Sequence, residues 1–289
     1  PRRCTCTQSS LTGIARADVQ QWHSTGFKPN NATLVVVGDI TVAEIQPRIE
    51  ALFDAWEAGT VPVKNVATVS AAAGETLYLV DKPDAGQSII FASQLIEPMS
   101  GPDEVAIKAM NDVIGGQFSS RINLNLREEK SWSDGARSLI WATRGQRPFI
   151  AYAPVQADKT KESLAEIRRE IIEVRDVNPP TDVELTRIQR SRTLSLPGRW
   201  ETNTAVLGAL SEIVSYDLPA DYWNQYAIKI NNLATSEVAE AAVKTLQPTQ
   251  LTWVVIGDRT LIEPGLRELG ITDIRLIDAD GNSLDANQA

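Results

Sequence analysis

Hydrolysis and metal binding draw on a short list of side chains, and this chain supplies few of them at usable spacing. It has one histidine, His23, just after Trp22. A hydrolytic zinc site usually takes two or three imidazoles. Neither H-E-x-x-H nor the inverted H-x-x-E-H occurs. A Ser-His-Asp triad would also have to use His23, and no G-x-S-x-G accompanies it. His23 is therefore expected to be a surface or packing residue. Cys4 and Cys6 match no ligand or disulfide framework and read as part of a disordered or cloning-related leader. No metal site and no cofactor are expected in this chain. With no G-x-G-x-x-G and no G-x-x-x-x-G-K-[ST], nucleotide binding has no support either.

The most distinctive stretch is GGQFSSRINLNLREEKSWSDGARS, Gly115 to Ser138. Two glycines, a helical segment carrying Arg121 and Arg127, an acidic pair and a polar loop entering a strand could present a guanidinium at a cleft. There an arginine would hold a peptide carbonyl or carboxylate by forked hydrogen bonds. Alternatively, both arginines pair with local carboxylates such as Glu128 and Glu129 or with solvent.

The elements that position this stretch begin with an internal repeat. Residues 14–44 align on 233–263 without a gap at an offset of 219, pairing Ala15 with Ala234, Val19 with Val238, Pro29 with Pro248, and Thr33 with Thr252. Val35 and Val36 fall on Val254 and Val255, and Gly38-Asp39 on Gly257-Asp258. Each copy reads as a helix, a proline, a β-branched run suited to a buried strand (Thr33 to Val37; Thr252 to Ile256), and a Gly-Asp turn. Thr41 with Glu44, and Thr260 with Glu263, then have capping-box spacing at a helix start.

Between the copies, Thr76 to Val80 and Gln87 to Ile96 read as neighbouring strands joined by the turn Lys82 to Gly86. Pro102, Asp103 and Glu104 open a helix whose apolar face is Ala106, Ile107, Met110, Val113 and Ile114, and Gly115 and Gly116 end it. A helical stretch from about Ser119 to Lys130 precedes strands near Ala136 to Thr143 and Pro148 to Gln156. Leu164, Ile167, Ile171 and Val174 recur at helical spacing. Thr181 and Glu184 form a further capping box after Asn178-Pro179-Pro180, and more helices follow to Leu246.

This pattern predicts an α+β fold, an antiparallel-rich mixed sheet covered by helices. Residues 1–57 are expected to be the C-terminal remnant of a first domain, 58–75 a linker, and 76–289 a complete second domain. The 289 residues, 43% of them hydrophobic, suffice for a sizeable core. A net charge of −9 disfavours nucleic acid and anionic membrane surfaces as partners. No apolar run is long enough to span a bilayer, and Pro1 to Ser10 lacks the apolar stretch of a signal peptide.

IARAD (Ile14 to Asp18), KPNNATLVVVGDIT (Lys28 to Thr41), GGQFSSRINLNLREEK (Gly115 to Lys130), GRWETN (Gly198 to Asn203), LPADYW (Leu218 to Trp223) and VVIGD (Val254 to Asp258) together carry a resemblance. The chain resembles the pitrilysin/insulinase-like metallopeptidases, whose relatives include mitochondrial processing peptidase and the core subunits of the respiratory cytochrome bc complex. The resemblance implies a half-clamshell of the metallopeptidase type. One half of such enzymes carries zinc on H-x-x-E-H, whose glutamate activates water. The other half lacks the metal and offers an arginine and a tyrosine to the peptide. This chain looks like that zinc-free half, inactive alone, with peptide substrate and a zinc-bearing half as its partners, the latter in the same parent polypeptide or a separate subunit. Zinc is expected only in that partner half.

By the family pattern, in which the tyrosine follows the arginine by seven positions, Arg127 falls on the arginine. Asp134 stands at the tyrosine position and Trp132 at another frequent aromatic. An ionised acid supplies no donor and repels an oxyanion. Arg127 either orients substrate or pairs with Asp134. The alternative function is a degenerate scaffold with no role in proteolysis. Bacterial members of the family are often exported, so the resemblance implies a periplasmic parent protein.

Overall fold

Alternation of buried with half-buried or exposed side chains marks four of the six strands, Thr76–Asp81, Gln87–Ile96, Arg147–Gln156 and Thr252–Gly257, the period expected of a sheet with one packed face. The computed structural model describes residues 8–99 and 101–284; Cys4 and Cys6 lie outside them. Its strands are β1 (Thr76–Asp81), β2 (Gln87–Ile96), β3 (Arg137–Ile140), β4 (Arg147–Gln156), β5 (Thr252–Gly257) and β6 (Asp273–Ile277). The helices are α1 (Gln8–Thr12), α2 (Arg16–Gly26), α3 (Val42–Phe53), α4 (Glu104–Asn111), α5 (Arg121–Asn123), α6 (Thr160–Glu173), α7 (Asp182–Leu194), α8 (Asn203–Tyr216), α9 (Tyr222–Asn232), α10 (Thr235–Thr245) and α11 (Arg259–Arg267). They form two compact units, one of residues 1–67 and 197–215, the other of 68–196 and 216–289.

The second unit holds one sheet in the order β3-β4-β2-β5-β1-β6. Pairs β3·β4, β4·β2 and β2·β5 are antiparallel, while β5·β1 and β1·β6 are parallel. This is the α+β, antiparallel-rich mixed sheet that the pattern of elements predicts. The expectation that β1 and β2 are neighbours is corrected: β5 lies between them. The Lys82 to Gly86 turn steps over the end of β5, with the Lys82 N–H on the Gly257 carbonyl (2.8 Å) and the Asp84 N–H on the Asp258 carboxylate (3.1 Å). A hydrophobic run far along the chain thus fills the gap that a hairpin would have closed.

Leu77, Leu79, Ile90, Ala92, Phe149, Ala151, Trp253 and Val255 form the buried face of the sheet. Against it and its flanks pack the apolar stripes of α4 (Ile107, Met110) and α6 (Leu164, Ile167, Ile171), together with Val174 just after α6, all buried as their spacing predicts. One ion pair is sealed into this core. Arg147, 1% exposed, forks onto Glu104 and donates from Nε to the Glu97 carbonyl at 2.8 Å. Each of its three nitrogens donates to an acceptor within the protein, and such pairing is what makes a buried charge tolerable.

The Thr181 and Glu184 capping box forms as predicted, the Thr181 side chain accepting from the Glu184 N–H at 3.3 Å and the Glu184 carboxylate accepting from the Thr181 N–H at 2.9 Å. Thr41 is joined to Glu44 through donation to the carboxylate, from its N–H at 2.9 Å and its hydroxyl at 2.6 Å. Thr260 and Glu263 are not. The N-cap there is Asp258, which accepts from the Thr260 N–H at 3.0 Å, and Glu263 is instead held between Arg259 and Arg267.

Both copies of the repeat contain an eleven-residue helix, α2 and α10, followed by a single turn at Pro29–Asn31 and Pro248–Gln250. They differ at the next step. Thr252 to Gly257 is β5, buried between two strands, whereas Thr33 to Val37 is not a strand and exposes Leu34 and Val36. No strand lies beside it among the described residues, so its backbone has no ladder to join. His23 is exposed and stacks on Phe27, with ring centroids 5.1 Å apart, which is the packing role expected of it.

Candidate functional site

Close approach of backbone builds the site. A Cβ on Gly115 would lie 2.2 Å from the Ser138 nitrogen and 2.5 Å from Ile122 Cδ1; one on Gly116 would lie 2.5 Å from the Asp112 carboxylate. Only glycines let the end of α4 pass this near to β3. Around them the helix widens into π-type turns, at Asp112–Gly116 and again at Leu124–Glu129, where the Lys130 N–H reaches back to the Asn125 carbonyl at 3.1 Å. The second of these turns carries Arg127.

Asn123, 3% exposed, ties the parts together. Its Nδ2 donates to the Phe118 carbonyl (2.6 Å) and its Oδ1 accepts from the Ala136 N–H (3.0 Å). The loop before β3 is pinned along β4 by Ser133, whose hydroxyl donates to the Pro154 carbonyl (2.5 Å) and accepts from the Gly135 N–H (3.1 Å), and by the Gln156 N–H on the Trp132 carbonyl (2.9 Å). Asp134 rides on this loop.

The result is a pocket of about 500 Å³ lined by Phe118, Asn123, Arg127, Asp134, Arg137 and Tyr152, among others. The two residues to which the family resemblance points, Arg127 and Asp134, therefore share one cavity. They do not form an ion pair. The Arg127 guanidinium lies over the Phe118 ring, 4.8 Å from its centroid, and its one carboxylate neighbour within reach is Glu128 at 3.6 Å. Both of those side chains are substantially solvated, and an exposed pair of this length holds the guanidinium weakly.

Arg121 has a different fate. It forks onto Glu184 (2.7 and 2.8 Å) and donates to the carbonyls of Asn178 and Pro179, so it fastens the turn before α7 and does not face the pocket. Burial by itself raises the Glu184 carboxyl, but hydrogen bonds from Arg121 and from the Thr181 N–H and hydroxyl outweigh it and bring the group below its ordinary range. Local pairing with Glu128 or Glu129, one of the two possibilities open for Arg121, is thus replaced by pairing with Glu184.

Arg137 and Tyr152 are pocket residues that spacing did not single out. Arg137 is exposed on edge strand β3, directly opposite Tyr152 of β4, and its guanidinium lies 5.1 Å from the centroid of that ring. Neither belongs to a motif; only the strand pairing brings them together. Trp132, at the position of another frequent aromatic of the resembled family, is half-buried with Lys130 5.4 Å over its ring, and it stays out of the pocket. Among the described residues no group of three or more His, Cys, Asp or Glu side chains is placed to hold a metal ion, and no helix is long and apolar enough to cross a membrane.

Solved structures share this fold. A peptidase M16 inactive domain from Pseudomonas fluorescens matches with a TM-score of 0.79 at 21% identity, covering 86% of this chain and 59% of its own. A protease from Helicobacter pylori matches with a TM-score of 0.76 at 19% identity, covering 86% of this chain and 61% of its own. The periplasmic protease PqqL from Escherichia coli matches with a TM-score of 0.67 at 12% identity, covering 96% of this chain and 33% of its own. The chain thus spans about three fifths of the first two and a third of the last. No curated protein matches it. The family model described as "Peptidase M16 inactive domain" matches residues 13–192, a span that includes the whole pocket, and this chain belongs to that family.

Proposed function

We propose that this chain is the zinc-free half of a metalloendopeptidase, enclosing a peptide and positioning it for a zinc-bearing half that carries H-x-x-E-H, in the same parent polypeptide or as a separate subunit. The observation that carries this reading is the state of Arg127. Its guanidinium is set in a pocket, steadied by the Phe118 ring, and hydrogen-bonded to no protein acceptor among the described residues. A peptide carbonyl or carboxylate supplies the acceptor such a fork lacks. Bond scission is then the work of the zinc half, and this chain alone cleaves nothing.

Residues 1–57 fit the closing part of a first peptidase-like domain, 58–75 a linker, and 76–289 the inactive domain itself. The repeat supports this division. Leu34 and Val36 are exposed at the positions where Trp253 and Val255 are buried, so the first copy carries the apolar side chains of a strand without that strand's neighbours.

A second reading, a scaffold with no role in proteolysis, is favoured by Asp134, an acid without a donor partner at the position where the family offers a phenol. The two are separated by Arg127→Ala in an assembly of this chain with its H-x-x-E-H half. A fall of about tenfold or more in kcat/KM is expected for a lost charged hydrogen-bond donor to substrate. Unchanged turnover and peptide affinity would take Arg127 out of substrate handling and leave the scaffold.

A further inference from the structure

The sheet face opposite the packed one carries a row of side chains that crosses all six strands. Register sets Arg137 beside Tyr152, Tyr152 beside Phe91, Phe91 beside Val254, Val254 beside Tyr78, and Tyr78 beside Arg275. Residues paired in this way point to the same side of a sheet. The four central side chains are half-buried, in contrast to the fully buried Leu77, Leu79, Ile90, Ala92, Trp253 and Val255 on the other face. Phe91 and Tyr152 are in ring contact, with centroids 5.1 Å apart. At about 4.8 Å between strands the row is roughly 24 Å long, the span of about seven residues of extended peptide.

The two ends of the row differ. Arg275, over Tyr78, is forked onto Asp273 at 2.8 and 2.7 Å and has its charge answered. Arg137 has no hydrogen-bond acceptor and no carboxylate partner among the described residues. The Arg137 guanidinium carbon lies 5.1 Å from the Tyr152 ring centroid, and an arginine held against an aromatic ring can still take a carboxylate with its N–H groups. Arg127 lines the same pocket, so two guanidiniums and the one carboxylate of Asp134 are among its lining groups. The chain as a whole carries −9, so any preference for an acid here comes from short-range contact and not from the long-range field.

We infer that Arg137 is the carboxylate-recognising residue of the peptide site. It takes an acidic side chain or a C-terminal carboxylate of an extended peptide whose apolar residues lie along Tyr152, Phe91, Val254 and Tyr78. The inference rests on the peptide-enclosing reading above and adds to it a substrate class: apolar peptides with an acid at one end.

The test is fluorescence polarisation of three labelled heptapeptides with one apolar core on the full chain and on Arg137→Gln. One peptide ends in Glu with an amidated terminus, one has Gln in its place with the same amide, and one has Gln with a free C-terminal carboxylate. Arg137 is exposed and holds no protein group, so the variant is expected to fold, which circular dichroism and an unchanged Tm verify. At least one carboxylate-bearing peptide is expected to bind about tenfold tighter than the Gln amide, by a charge-assisted fork, with the preference falling to near unity in the variant; which peptide gains identifies the source of the carboxylate. Equal binding of all three overturns the inference and leaves the peptide-enclosing reading standing. A preference that survives Arg137→Gln also overturns it and transfers the role to another cation. Failure of every peptide to bind at millimolar concentration overturns it and removes support from the peptide-enclosing reading as well.

Discussion

Arg127 and Asp134 line one pocket yet form no ion pair; the Arg127 guanidinium sits 4.8 Å from the Phe118 ring centroid and its carboxylate neighbour is Glu128 at 3.6 Å. The simplest structural use for the pair, mutual neutralisation, is therefore not made. Arg127 is left able to hold a ligand, and Asp134 stands in the pocket with no hydrogen-bond donor or cation partner among the described residues.

Because Asp134 is exposed and unpaired, Asp134→Asn is expected to leave stability within about 0.5 kcal/mol of the parent. Asp134→Tyr, which puts a hydrogen-bond donor in place of the charge, is expected to raise kcat/KM several-fold in an assembly with the zinc half. Steady-state kinetics on the assembled variants check this; a fall in turnover with Tyr at this position would mean that the acid itself assists.

Gly115→Ala is expected to destabilise the protein by about 1–3 kcal/mol, since the new Cβ would meet the Ser138 backbone 2.2 Å away and backbone cannot step aside. Gly86→Ala, whose Cβ would meet nothing within 4 Å, is the matched control and should cost far less. Urea denaturation of the pair decides; equal midpoints would show that the α4 to β3 contact is looser than described.

Arg147→Ala removes the fork from the buried Glu104 carboxylate and leaves it only Lys108, at 3.3 Å. Loss of one partner of a buried pair typically costs about 3–5 kcal/mol. A loss below about 1 kcal/mol by chemical denaturation would contradict the burial of this pair.

The Glu184 carboxyl, held below its ordinary value of 4.5 by Arg121 and Thr181 against the opposing effect of burial, contributes stability that is fully present above that value and lost as pH falls through the lower folded one. Parent and Glu184→Gln should therefore differ most near neutral pH and converge as pH drops below about 4.5. A gap between their melting temperatures that persists unchanged into strong acid would refute the assignment.

Much of this was legible from local patterns. The Thr181 and Glu184 cap and the apolar stripes of α4 and α6 are short-range consequences of residue type and spacing, whereas Asp134 was reached only through the family resemblance. What escaped is long-range. That β5 separates β1 from β2 depends on a pairing with a strand far along the chain. Arg137 and Tyr152 become a pair only once β3 docks on β4. Thr33 to Val37 has the composition of β5 and is not a strand, because a strand is a property of its neighbours as well as its residues. The Thr260 and Glu263 spacing misled for a local reason: Asp258, two residues earlier, is the better cap, and two arginines compete for the glutamate.

In the proposed function, scission is supplied from outside this chain while peptide handling is shared with it. The most direct measurement is the rate of peptide hydrolysis by the H-x-x-E-H half as this chain is titrated in. No hydrolysis is expected from this chain alone, and a saturable rise in rate is expected on mixing. A chelator-sensitive activity of this chain alone, or a rate indifferent to its addition, would contradict the proposed function.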